Sequence, residues 1–382
     1  MVARKKTLLV AVTLACLLPF GEMPAAASLA CSIGHPFLPV PVRWPFVGAS
    51  FRDVVGISST DAWAVGQVAP GGRPRPFVSH LTGSTFRTVS TPIGQREGSL
   101  EAVAKVGSLP MAVGYLIDGN GHKDVLAIQR RQDGWHVLDT SSGTLPATGA
   151  LSGLDSRSSR EVWAVGWTKR SGVRVPLVLR WNGTRWWRIA VPIDRGELTA
   201  VDVQGNGDVW AVGIAGTPMT SPLVLHRDDT GWHDETPPTP PNTFWEVLTG
   251  VAARSTHDVW VVGRVSDDVG VRTVASHLQD DTWTTIVGPD PSPDSMIYTD
   301  VAIGAGAHLL AVGYTSMASS DWVSVVQHGL TSDLSWSSIF PGDEPNVVVE
   351  GVAFVAGTET AFVVANDNSA QGQPLVYRNC TT

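Results

Sequence analysis

The chain has 382 residues and a formal charge of −8, and only 16% of its residues are charged against 39 glycines, 26 prolines and 15 tryptophans. That composition excludes a disordered polyelectrolyte and points to a turn-rich all-β domain. The acidic balance with scattered arginines also lacks the basic face on which nucleic-acid binding depends, so no nucleic-acid partner is expected.

Arg4, Lys5 and Lys6 open the chain, an apolar run follows from Thr7 to Leu18, and small residues close it at Ala25–Ala30. This order is that of a secretory signal peptide over residues 1–30, with cleavage after Ala27 or Ala30, and the apolar part is too short for a membrane span. Removing it takes Arg4, Lys5, Lys6 and Glu22 and moves the charge from −8 to −10. A secreted protein without membrane insertion is expected. Cys16 falls within the signal peptide, which leaves Cys31 and Cys380 at the two ends of the mature chain. In an oxidising compartment they read as one disulfide. The alternative is a lipid on Cys31, for which Ser28 stands where an aliphatic residue is wanted.

From there on a hexapeptide recurs. It stands as Asp61–Gly66, Glu161–Gly166, Asp208–Gly213 and Asp258–Gly263, with degenerate copies at Leu109–Gly114, His308–Gly313 and Thr360–Ala365. Its large apolar residue falls at 63, 111, 163, 210, 260, 310 and 362, so successive copies are 47 to 52 residues apart. Each copy opens with a short strand such as Leu198–Val201, then a tight turn and the hexapeptide strand. A variable loop, a third strand such as Pro176–Trp181, and a fourth strand holding Trp135, Trp187, Trp232, Trp283 or Trp336 complete it. Asn182–Gly183 is a strong hairpin signal between third and fourth strands. The hexapeptide is apolar at consecutive positions, as in a strand buried on both faces. Seven near-equal four-stranded units that each need a neighbour on both faces predict a seven-bladed β-propeller in one domain, residues 31–382, with blades starting near 51, 100, 151, 198, 248, 298 and 349. Gly153, Ala200, Gly250 and Gly351 suit a crowded inner rim. The seventh copy lacks a fourth strand, and a surplus strand within 32–49 is expected to complete it and close the ring.

On the residues Asp208–Gly213 and Trp181–Trp186, the repeat resembles the tryptophan-rich propellers of secreted actinobacterial proteins, which are distantly similar to kelch, Asp-box and photosystem-assembly-factor propellers. The resemblance spans the mature chain and implies architecture, not activity. Thr184–Trp186 and Asp281–Trp283 match only the tail of an Asp-box, and the arginine triad of sialidases and the copper ligands of galactose oxidase are missing.

Short turns between first and second strands put the long loops and blade crossovers on the opposite face, where a rigid ring places recognition. The innermost strands should bring Arg52, Asp53, Glu101, Ser152, Thr199, Thr249, Thr299, Asp300 and Glu350 to the channel mouth on that face. Arg52, Asp53, Glu101, Thr249, Asp300 and Glu350 are the candidate ligand-binding residues, and the simplest alternative is a polar lining for a wet channel. If the protein is an enzyme, a hydrolase or lyase on a saccharide or small metabolite, Asp53, Glu101, Asp300 and Glu350 would supply acid and base. Otherwise it is a binding module for an extracellular glycan, peptide or small molecule. Asp118–Asp124 resembles the start of a calcium loop but lacks the distal glutamate, so a glycine-rich turn is favoured. No metal site and no cofactor follow from the sequence, and a monomer is expected.

Overall fold

The structure is a computed structural model that describes residues 37–43, 48–140, 148–216, 221–289, 294–316, 322–330, 337–338, 346–368 and 372–379. Two short strands come first, β1 (Leu38–Pro39) and β2 (Val42–Arg43). Blade 1 is β3 (Ala49–Ser58), β4 (Asp61–Val68), β5 (Arg75–Thr82) and β6 (Thr85–Thr88); blade 2 is β7 (Gly98–Val106), β8 (Leu109–Ile117), β9 (Lys123–Arg131) and β10 (Gly134–Val137). Blade 3 is β11 (Gly149–Ser158), β12 (Glu161–Arg170), β13 (Val173–Trp181) and β14 (Trp186–Ile189); blade 4 is β15 (Gly196–Val203), β16 (Val209–Ala215), β17 (Ser221–Arg227) and β18 (Trp232–Asp234). Blade 5 is β19 (Trp245–Ser255), β20 (Asp258–Ser266), β21 (Val271–Gln279) and β22 (Thr282–Val287); blade 6 is β23 (Ser295–Ile303), β24 (His308–Ser316), β25 (Trp322–Leu330) and β26 (Ser337–Ser338). Blade 7 is β27 (Val347–Phe354), β28 (Ala361–Asp367) and β29 (Gln373–Arg378). Each blade is an antiparallel sheet, and the seven form a β-propeller in which β27 packs on β3 to close the ring.

Burial explains the ring. Among the described residues the buried apolar side chains fall into seven clusters, each shared by two adjacent blades, so each blade's core is completed by its neighbours. The hexapeptide glycine has a packing cause. A Cβ on Gly66, Gly166 or Gly263 would lie 2.0 Å from the carbonyl oxygen of Ser50, Ala150 or Val247 in the adjacent inner strand. The crowded inner rim is also present: a Cβ on Gly153 would stand 2.9 Å from the Ala200 Cα of the next blade.

The acid that opens the hexapeptide holds a side chain flat on the motif tryptophan. His80, His226 and His277 stack on Trp63, Trp210 and Trp260 with ring centroids 3.8, 4.1 and 4.2 Å apart. Their Nε2 atoms lie 2.9, 3.5 and 2.9 Å from Asp61, Asp208 and Asp258. In blade 3 the pair is Glu161 and Arg180, with the guanidinium over Trp163. His226 is therefore part of a blade wedge, stabilised by stacking on Trp210.

β1 pairs antiparallel with β29, Leu38 opposite Arg378, and so supplies the fourth strand of blade 7. β2 then runs parallel to β6 as a fifth strand of blade 1. The leading segment therefore serves two blades, where the repeat count assigned all of 32–49 to one. Cys31, Cys380 and Trp336 lie outside the described residues. Two local expectations change. The connection expected over Thr168–Val175 as one of the long variable loops is almost all strand, with Ser171 and Gly172 at positive φ as a two-residue turn. The Asn182–Gly183 turn spans four residues, 182–185, and Asn182 Oδ1 accepts from the Thr184 and Arg185 amides.

Candidate functional site

Each innermost strand carries a β-bulge one residue in from its register with the last residue of the hexapeptide, a glycine in six blades and Ala365 in blade 7. A bulge leaves one residue unpaired and turns its side chain out of the ladder. The seven bulged residues are Arg52, Glu101, Ser152, Thr199, Thr249, Thr299 and Glu350. All seven line a central channel of about 560 Å³, together with Asp53 and Asp300. The sequence-predicted residues thus come together, but they divide into two levels with different tasks.

Asp53 and Asp300 sit one step inside the ring and fasten blades to each other. Asp53 Oδ1 accepts from its own strand at Val54, 2.7 Å, and Oδ2 from Val103 of blade 2, 2.8 Å. Asp300 does the same with Val301 at 2.8 Å and Val352 of blade 7 at 3.0 Å. Asp155 and Asp202, which the sequence reading did not select, hold blades 4 and 5 through the amides of Val203 and Ala253. Desolvation by burial pushes the Asp53 carboxyl up to about 8, aided by the Asp300 charge and opposed by the two amides. Burial raises Asp300 to about 7. Asp155 and Asp202 are also raised, Asp202 partly by Asp155.

The bulge ring itself has two unlike arcs. The Thr249 hydroxyl lies 2.9 Å from the Tyr298 carbonyl of the next blade and 3.2 Å from Val262 O. Thr199 makes the same link to Leu248 O at 2.8 Å, and Thr299 to Val349 O at 2.9 Å. The other arc is charged. Arg52 Nη1 meets Glu350 Oε1 at 3.4 Å, and Glu350 also accepts from Asn366 Nδ2 at 3.2 Å. Asn366 in turn exchanges hydrogen bonds with the Phe51 backbone and joins blade 7 to blade 1. Burial raises Glu350 against the pull of Arg52.

Glu101 extends the arc to Lys123 and Tyr115. Burial and the Glu101 charge raise the Tyr115 phenol; burial lowers Lys123, whose ammonium Glu101 supports. Lys123 Nζ lies 3.5 Å from the centre of the Tyr115 ring, and Arg174 covers Trp167 while bonding Glu197. Tyr115, Trp167, Arg264, Tyr314 and Asn366 each follow the last residue of a hexapeptide copy. That position, read along the copies, is the signal by which they could have been found.

The arrangement offers guanidinium, ammonium and carboxylate groups at one side of a wet opening, which suits recognition by charge and hydrogen bonds. Acid–base work by Asp53 or Asp300 would release a blade contact at each turnover. Asp118 Oδ1 accepts from the Asn120 and His122 amides, so the loop resembling a calcium site is built around its own carboxylate. Among the described residues no three His, Cys, Asp or Glu side chains are grouped to hold a metal ion, and no helix is long and apolar enough to cross a membrane.

No protein-family model matches the chain, and no curated protein matches it. Solved structures do. YCF48 bound to D1 peptide is 11% identical with a TM-score of 0.58, covering 93% of this chain and 100% of that one. YCF48 from Cyanidioschyzon merolae is 12% identical with a TM-score of 0.57, covering 90% and 98%. At such identities the likeness is one of fold: this chain is a seven-bladed β-propeller with neighbours of the YCF48 type.

Proposed function

We propose that the protein is a secreted binding propeller that takes a peptide or protein segment on its long-loop face, centred on Glu350, Arg52 and Glu101. The observation that carries this reading is the division of the bulge ring. Three hydroxyls are engaged by carbonyls, whereas Arg52 has one long contact at 3.4 Å and Glu101 has no hydrogen-bond partner among the described residues. The YCF48 structure with a D1 peptide supports a peptide or protein as the class of partner. The hydrolase or lyase alternative loses Asp53 and Asp300, each tied to two backbone amides, and would rest on Glu101 and Glu350 alone.

Export is supported by the basic and apolar order of residues 1–30, and the tryptophan-rich repeat by its likeness to secreted actinobacterial propellers. A Cys31–Cys380 disulfide belongs to the same reading; a count of two free thiols in exported, unfolded protein would remove it. The function is tested on a peptide array with the wild-type protein and the Arg52→Ala/Glu101→Gln/Glu350→Gln variant. Retention of a peptide subset by the wild type and its loss in the folded variant are expected. Equal retention by both, or none by either, overturns the assignment.

A further inference from the structure

The long-loop side of blades 3 and 4 departs from the charge of the rest of the molecule. It carries Lys169, Arg170, Arg174, Arg188 and Arg195 against Asp194 and Glu197, on a chain whose net charge is −8. Arg174 is engaged by Glu197 and Trp167. The other four cations are exposed, and their side chains have no hydrogen-bond or ion-pair partner among the described residues.

Two of them border a cavity. Arg170 and Arg188 line a concavity of about 470 Å³ whose remaining lining is mostly aliphatic, including Val175, Ile189, Val191 and Ile193. β14 ends at Ile189, opposite Val178, so the outer edge of β13 from Val173 to Leu177 has no strand beside it among the described residues, although Pro176 offers only its carbonyl there and residues 190–194 line the same cavity. Blade 1 shows what the outer side of a blade accepts in this molecule, because the chain's own β2 lies there as an added strand.

We propose that this notch on blade 3, separate from the channel mouth, docks an extended acidic segment of a partner protein. The segment adds to the open edge of β13, sets aliphatic side chains into the cavity and places carboxylates on Arg170 and Arg188. Added strands recognise partners through main-chain hydrogen bonds, with alternate side chains giving specificity. Lys169 and Arg195 draw the acidic segment in, an effect that salt screens. An anionic polysaccharide fits less well: the lining presents aliphatic side chains rather than the flat aromatic faces and convergent polar groups that hold a sugar.

The probe is a labelled octapeptide of alternating valine and glutamate, titrated by fluorescence anisotropy. Saturable binding is expected, weakened about tenfold or more by Arg170→Glu/Arg188→Glu and several-fold between about 50 and about 300 mM salt. Both substituted side chains are exposed, so an unchanged melting temperature separates lost binding from unfolding. Absence of saturable binding, equal binding of the valine–lysine peptide, or full affinity in the double variant overturns the proposal. Displacement of the peptide by an equal carboxylate concentration of oligogalacturonate also overturns it, in favour of a glycan surface. Arg52→Ala is expected to leave this affinity unchanged; if it abolishes binding, the peptide sits at the channel mouth and the notch is not its site.

Discussion

The two arcs of the bulge ring have the same backbone and opposite uses. On blades 4, 5 and 6 the bulged residue is a threonine whose hydroxyl reaches a carbonyl of the next blade. On blades 7, 1 and 2 it is Glu350, Arg52 or Glu101, and the seams there are held by other groups, Asn366 and Asp53. The seams from blade 4 to 5 and from blade 6 to 7 are clipped as well, by Asp202 and Asp300, so the threonines add a second tie there, whereas the charged bulge residues make no bond to the next blade's backbone among the described residues. The comparison teaches that a repeat fold can separate holding from binding without altering its main chain.

The comparison breaks most severely at the aspartates. Asp53→Ala leaves the Val54 and Val103 amides without their acceptor and is expected to destabilise by about 2–3 kcal/mol, read by denaturant unfolding. Equal stability of variant and wild type would show that the seam does not depend on the clip.

The pH dependence tests the same groups. Asp53 and Asp300 titrate near 8 and 7 in the folded protein and near 4 when unfolded. The folded state therefore holds more protons in that window. The stability these groups contribute is fully present below about pH 4 and is lost as the pH rises toward about 8. The melting temperature should fall from pH 5 to pH 8, and Asp53→Asn with Asp300→Asn should flatten that slope even if it lowers the curve.

Thr249→Val removes one inter-blade hydrogen bond at nearly constant shape, for an expected loss of about 1 kcal/mol. The smallest effect on stability belongs to the charged arc. Arg52→Met should change unfolding by less than about 0.5–1 kcal/mol, because a partly exposed pair with one long contact at 3.4 Å contributes little. A larger loss than Thr249→Val gives would erase the distinction between the arcs.

The blade count and the channel-facing position of Arg52, Glu101, Thr249 and Glu350 were readable because both follow from spacing. The hexapeptide sets the period, and the innermost strand begins a fixed distance before it. Which carboxylates are tied to backbone amides was not readable. Asp53 and Asp300 differ from Glu101 and Glu350 by one strand position and by a side chain short enough to reach two amides, which is a matter of register. The stacked histidines were hidden for a similar reason: His80 and His277 stand 19 residues after the acids they meet, and each comes to its tryptophan only through the register of the next strand. The basic notch escaped because its cations are scattered over three elements and the crossover from blade 3 to blade 4.

The pairing of β1 with β29 also sets a timetable. The strand that completes blade 7 is among the earliest made and its partner among the latest; Phe51 and Asn366, joined at the same seam, are 315 residues apart. At ribosomal rates of about 5–20 residues per second the leading segment, Leu38 opposite Arg378, waits roughly 17–68 s for its mate. During that interval blade 1 has no neighbour on its β3 side, and a chain stalled before β29 presents an unclosed ring with an open apolar wall. Contacts so distant in sequence also make the last step slow. Ring closure thus waits on β29: only a chain that contains both β1 and β29 can pair the two ends of its sheet array.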